Sequence, residues 1–231
     1  MTSSRIKESN HALIVDLCGT LVVENTTRGF LEWLPLRGVR SFIRWLGLSR
    51  VSSLIGVVMG KDVSRVLLIF ALRGLRRDLL YKEAATYVRH CLESLLNQDV
   101  ADAISAARGL RIPIYLATAS LDPIALAVSE QMQLDGMVSS RLNYDADGTC
   151  TGRLSVDITG KKLTHLQSIV PDSLIHAATV YTDNWDDVEL IRHSESAYFL
   201  GKREQLTALS DSELANVSFL RKLPEAPRGF D

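Results

Sequence analysis

Four places in this sequence hold side chains that can do chemistry, three of them directly behind an apolar run. Asp16 follows Ala12–Val15 and leads into Leu17, Cys18, Gly19 and Thr20, in HALIVDLCGTLVV. Thr118 closes Ile112–Ala117, in IYLATAS. Lys161 and Lys162 stand side by side in TGKKLTHLQSI. Asp183, Asp186 and Asp187 follow Ala177–Tyr181, in VYTDNWDDVELI. A carboxylate can attack an electrophile and carry it covalently. A hydroxyl with its backbone N–H can hold an anionic oxygen, and an ammonium can offset developing negative charge. Carboxylates on one loop are hard oxygen donors of the kind Mg²⁺ takes. Each place also has a plainer reading taken singly: a turn-forming Asp, a helix cap at Thr118 or Ser120, a solvated lysine pair, and an acidic helix start.

The elements around these residues tie them together. An apolar run the length of Ala12–Val15 reads as a buried strand of a parallel sheet. Ile112–Ala117 and Ala177–Tyr181 read the same way. Helical patterns follow or precede them at Leu121–Leu134 and Lys162–Val170. Alternating strand and helix implies a doubly wound α/β sheet. In such sheets ligands gather beyond the carboxyl ends of the strands, where Asp16, Thr118 and Asp183 fall. Asn143–Leu154 reads as a hairpin turning at Asp147-Gly148. The polar tail after Gly201 reads as loose.

Residues 28–100 break the alternation with helical periodicity and few strand signals. They form an expected helical insertion, leaving 1–27 and 101–231 as the core. The insertion holds 12 Lys or Arg against 6 acids, a net of +6 in a chain whose total is −1. A basic insertion facing an acidic site suits an anionic substrate; solvated helix faces would give the same count.

The order of the four places, and the strand–Asp–x–x–Gly–Thr pattern at Asp16, resembles the haloacid dehalogenase (HAD) superfamily across nearly the whole chain. The helical cap directly after the first motif resembles the phosphoserine-phosphatase-like branch. The resemblance implies a HAD-like, Rossmannoid α/β core with an inserted cap and a Mg²⁺-dependent phosphatase acting between them. It makes Asp16 the nucleophile that forms an aspartyl-phosphate, and Thr118 and Lys162 the groups that hold and neutralise the phosphoryl oxygens, with Lys161 as the alternative lysine. Asp16, the backbone carbonyl of Cys18, and Asp183 would hold Mg²⁺, with Asp187 acting behind them or through water. Asp186 would be a solvated bystander. Substrate contacts are expected at Gly19, Thr20, Asn25, Thr118, Ala119 and Lys162. Glu24, Asn25, Thr26 and Thr27 either touch substrate or cap the first helix of the insertion.

One position departs from the pattern. The family's second Asp, its general acid and base, is Cys18 here. A thiol can donate a proton, but with an ordinary pKa of about 8.5 it is a poor base at neutral pH. Loss of a positioned acid–base group costs roughly 10²–10⁴-fold in rate. Three functions follow: a phosphatase with altered proton handling, a phosphotransferase that passes the phosphoryl group to another acceptor, or a phosphate-binding regulatory protein. A dehalogenase is disfavoured by the paired aspartates.

Composition sets the remaining bounds. The near-neutral charge gives no reason to expect nucleic acid as a partner. Three separated cysteines and the polar opening MTSSRIKESN point to a reducing, cytoplasmic setting. Leu54–Met59 and Val66–Leu72 are apolar but interrupted by Lys61, Asp62 and Arg65, too short to span a bilayer. The expected partner is a small phosphorylated molecule, lipid-linked or sugar-linked substrates included, without stable membrane insertion.

Overall fold

The computed structural model describes residues 11–49 and 62–221. Leu54–Met59, the polar opening and the last ten residues lie outside them. In chain order the helical and strand elements are β1 (Leu13–Val15), α1 (Thr26–Trp33), α2 (Val39–Leu48), α3 (Val63–Ala71), α4 (Arg77–Ser94), α5 (Gln98–Gly109), β2 (Ile114–Leu121) and α6 (Asp122–Gln131). Then follow β3 (Gly136–Tyr144), β4 (Cys150–Val156), α7 (Lys162–Leu166), α8 (Asp172–His176), β5 (Thr179–Thr182), α9 (Val188–Arg192), β6 (Ser196–Leu200), α10 (Asp211–Leu214) and β7 (Val217–Leu220).

The seven strands form one sheet in the order β4-β3-β2-β1-β5-β6-β7. All pairs are parallel except β3 with β4, so this is the doubly wound α/β sheet that the strand–helix alternation implies. β1 lies at its centre, between β2 and β5. Its three side chains alternate faces as a strand requires. Leu13 and Val15 join the apolar cluster that includes α1, α3, α4, α5 and α6, and Ile14 joins the one beneath α7, α8 and α9. Each buried side chain of this size is worth about 1.5–3 kcal/mol, and burial on both faces is why this strand reads as a continuous apolar run.

Between β1 and β2 the described chain is helical, as the periodicity of 28–100 suggests. α2 and α3 pack at Gly47, where an added Cβ would meet Leu67 and Leu68 at 3.2 Å. Most basic side chains here are spent locally. Arg28 pairs with Glu32, Arg40 donates to the Arg73 carbonyl, and Arg44 donates to the carbonyls of Leu31 and Leu34 at the end of α1. None of the described helices is long and apolar enough to cross a membrane.

Several sequence readings need correction. The hairpin turns over residues 145–149 rather than a two-residue loop, because the Asp145 carboxylate accepts from the backbone N–H groups of both Asp147 and Thr149. The tail after Gly201 is not loose up to residue 221. It carries α10 under a Ser210–Glu213 capping box and adds β7 in parallel to β6. Val217 is buried on the α8–α9 side, so four residues suffice to dock the edge. β3, β6 and β7 escape detection as short or mixed runs.

The β3–β4 hairpin is tied to the helical layer. Gly74 N–H donates to the Cys150 carbonyl, Cys150 N–H to Leu75, and Arg77 N–H to Gly148, each at 2.8 Å. Gly152 has φ +74°, and a Cβ there would lie 2.9 Å from Arg73 Cβ and 3.2 Å from the Phe70 backbone. Replacing Gly152 with Ala therefore adds left-handed backbone strain and a clash, and the expected loss in urea-unfolding stability is about 1–3 kcal/mol.

Candidate active site

Asp16 is the first residue past β1, and its N–H donates to the Tyr181 carbonyl of β5 at 2.9 Å. The chain then folds back on itself: Gly19 N–H donates to Val22, and Val22 N–H to Leu17. The Asp16 carboxylate accepts from Leu17 N–H at 2.7 Å. Gly19 sits at φ +70°, and a Cβ on it would come within 2.1 Å of Asp183 Oδ2. Only glycine lets the loop after β1 press against the aspartate that follows β5.

Lys162, at the start of α7, is buried and bridges two carboxylates. Its Nζ lies 2.9 Å from Asp16 Oδ1 and 2.7 Å from Asp187 Oδ2. The Thr182 hydroxyl also donates to Asp187 Oδ2. Asp187 is thus held behind Lys162 and does not line the cleft. Lys161, one residue earlier, is exposed. Burial works against the Lys162 ammonium, yet Asp16 and Asp187 hold its pKa above the ordinary value. Asp16 is pushed up to about 7, chiefly by burial, with Lys162 opposing and the charges of Asp187 and Asp183 adding.

These groups open onto a cleft of about 500 Å³. Asp16, Cys18, Gly19, Asn25, Thr118, Ala119, Lys162 and Asp183 all line it, so residues from four separate stretches of sequence converge there. Thr118, in β2, is 1% exposed and its hydroxyl accepts from Ser120 N–H. Thr20, expected at the substrate, is instead fully buried and absent from the cleft lining; its hydroxyl faces Asp183 Oδ1 at 3.4 Å. Asn25 caps α1 by accepting from Arg28 N–H while also lining the cleft. Glu24 accepts from the Tyr87 hydroxyl, which anchors it to α4.

Cys18 has three close polar partners. Its Sγ lies 3.0 Å from Ser120 Oγ and 3.1 Å from Thr26 Oγ1, and the two hydroxyls are 2.7 Å apart. Thr26 N–H donates to the sulfur at 3.4 Å. Burial, and then the Asp16 charge, raise the thiol pKa. Sequence reading names Ser120 as a helix cap and Thr26 as a cap or substrate contact, but neither as a partner of the thiol. It also misses Arg65 of α3, whose guanidinium reaches across to the Ala119 carbonyl at 2.9 Å, Ser140 Oγ at 3.0 Å, Asp157 at 3.2 Å and the Thr159 hydroxyl. Arg28 and Arg65 are the described basic residues of the helical layer that line the cleft. No local motif marks Arg65; its reach depends on how α3 packs.

The donors present fit a hard divalent cation. Asp16 and Asp183 line the same cleft, two carboxylates share the Lys162 ammonium, and the Asp183 charge is felt at Asp16. Hard oxygen donors from Asp16 and Asp183 on one cleft are the kind Mg²⁺ takes.

No protein-family model and no curated protein matches the chain. Solved structures do resemble it. A protein of unknown function from Bordetella pertussis Tohama I superposes with a TM-score of 0.71 at 15% identity, over 90% of this chain and 97% of the other. A HAD-family hydrolase from Salmonella enterica serovar Typhi gives 0.58 at 14% identity over 87% of this chain, which spans 65% of that enzyme. A phosphoserine phosphohydrolase-like protein from Francisella tularensis gives 0.60 at 14% identity, over 89% and 98%. The chain shares the fold of these HAD-family and phosphoserine-phosphohydrolase-like structures.

Two outcomes test the electrostatics. Lys162→Met leaves two buried carboxylates without their cation, and the expected loss in urea-unfolding stability is about 3–5 kcal/mol. The raised Asp16 pKa means that the fold favours the protonated carboxyl. This contribution is fully present below the unfolded pKa and is lost as pH rises through about 7. Without divalent cations, Asp16→Asn should therefore melt higher than the parent at pH 8, with the gap closing toward pH 5 in a thermal-denaturation series.

Proposed function

We propose that this chain is a Mg²⁺-dependent phosphatase that hydrolyses a small phosphate monoester through an aspartyl-phosphate on Asp16. The observation that carries the reading is the convergence, on one cleft, of Asp16, Thr118, Lys162 and Asp183 from four separate elements, with Lys162 clamped between Asp16 and Asp187. The HAD fold of the neighbours supports it. In this reading the helices of 28–100 form a cap over the core, and Arg65 and Arg28 bring positive charge to the substrate side of the cleft.

Mg²⁺, held by Asp16, the Cys18 carbonyl and Asp183, would supply positive charge beside the phosphoryl oxygens. The chain's own residues do the rest. Lys162 orients the Asp16 carboxylate and offsets charge on the phosphoryl group. The Thr118 hydroxyl and the backbone around Ala119 bind a phosphoryl oxygen. Asp16 attacks phosphorus, the bond to the ester oxygen breaks, and the leaving oxygen takes a proton from Cys18 Sγ. Thr26 and Ser120, already at hydrogen-bond distance, stabilise the thiolate. That thiolate then takes a proton from the water that attacks the aspartyl-phosphate, which restores the thiol and releases phosphate. Asp187 and Thr20 hold Lys162 and Asp183 in place without touching substrate.

The test is hydrolysis with Mg²⁺ on the order of 5 mM, enough to fill a weak hard-cation site. Turnover of p-nitrophenyl phosphate by the parent and its loss in Asp16→Asn are expected. Cys18→Ala should lower kcat/KM, which reads the first step, by roughly 10²–10⁴-fold for an alkyl phosphate whose leaving group needs a proton, and far less for p-nitrophenyl phosphate. An inert parent with an active Cys18→Asp would replace hydrolysis by phosphoryl transfer or phosphate binding.

A further inference from the structure

On the α8–α9 side of the sheet, away from the cleft, two imidazoles converge on one carboxylate. Asp172 and His176 stand at i and i+4 on α8, the spacing that places two side chains on one helix face. His193 follows α9 and reaches the same point from the neighbouring element. His176 Nε2 lies 3.4 Å from Asp172 Oδ2, and His193 Nε2 lies 3.0 Å from Asp172 Oδ1. The two rings stack with centroids 3.9 Å apart. The three ligand atoms lie within 4.8 Å of one another. Gln167 Nε2 also donates to Asp172 Oδ1, at 2.9 Å, and fixes the carboxylate from outside.

We propose that Asp172, His176 and His193 form a site for one divalent transition-metal ion, Zn²⁺ or a similar imidazole-binding cation. Ligands at about 2.0–2.1 Å around a tetrahedral ion stand roughly 3.3–3.4 Å apart, and the two imidazole nitrogens already lie 3.4 Å and 3.0 Å from the two oxygens of the one carboxylate. Two imidazoles and one carboxylate select a borderline metal such as Zn²⁺, Co²⁺ or Ni²⁺ over Mg²⁺. This separates the site chemically from the all-oxygen set at Asp16 and Asp183. Each Nε2 gives its lone pair to the metal, its proton being carried on Nδ1 or released, and the fourth position stays open to water. The metal replaces the hydrogen-bonded contacts that now join the three side chains. It clamps α8 to α9, whose Ile175, Leu190 and Ile191 pack with Val180 of β5. β5 is the strand that delivers Thr182 and Asp183 to the cleft, so the clamp braces the scaffold of the active site from its far side.

The full-length protein, with excess Mg²⁺ present, would be titrated with Co²⁺ and followed by visible absorption, and with Zn²⁺ and followed by melting temperature. One equivalent of Co²⁺ giving the absorption of a nitrogen-containing, four-coordinate site is expected, with a rise in melting temperature on adding Zn²⁺. His176→Ala and His193→Gln should each weaken binding by at least tenfold and erase the thermal shift, while Asp183→Asn leaves both intact. Equal binding by the parent and both histidine variants, no Co²⁺ absorption in the parent, or loss of the signal in Asp183→Asn would each overturn the site. Its failure would leave the Asp16 chemistry untouched, because p-nitrophenyl phosphate turnover in Mg²⁺ alone is read separately.

Discussion

The contact on which the candidate site depends is the buried ammonium of Lys162 between Asp16 and Asp187. It sits where three elements meet: the end of β1, the turn after β5 and the start of α7. Three carboxylates close together in a largely buried setting would repel one another and force protonation. One ammonium at 2.7–2.9 Å from two of them makes the arrangement possible. One ammonium is shared between two buried carboxylates, and Asp183 adds its charge to the field at Asp16. Asp16 and Asp183 both line the cleft, which sets oxygen donors side by side at its floor.

Around that contact the backbone is placed by very short approaches. Gly19 lets Asp183 come up against the loop after β1, and Thr20 holds the same aspartate from its buried side. Cys18, on the same loop, reaches the hydroxyls of Thr26 and Ser120. A sulfur in this place keeps hydrogen-bonded company that a methyl group could not. The thiol is thus a member of a polar network that joins the first loop, α1 and β2.

Much of this was legible in the sequence, for identifiable reasons. β1, β2 and β5 are buried on both faces, so their side chains form unbroken apolar runs, and chemistry-bearing residues stand just beyond them. Asp16, Thr118 and Asp183 could be found that way, and the lysine pair could be seen, though only the structure separates exposed Lys161 from buried Lys162. Thr20 was read as a substrate contact because its position follows a motif, while burial assigns it to Asp183. Arg65 carried no signal of a place in the site, and Ser120 only that of a helix cap. Their part depends on a helix crossing to a distant strand, which periodicity does not encode. β7 and α10 were missed because four-residue elements are stabilised by docking rather than by pattern.

The junction between the hairpin and the helical layer has a consequence for how copies of this molecule meet one another. β4 is an outer strand, and an outer strand displays unpaired N–H and C=O groups to any other chain that can extend the sheet. Here Gly74 and Leu75 take the free backbone groups of Cys150, and Gly152 bends the strand one step further on. At the opposite border β7 is only four residues long. At Cys150, the same hydrogen bonds that seat the helices on the hairpin take the backbone groups that a neighbouring strand would need in order to extend the sheet from that end.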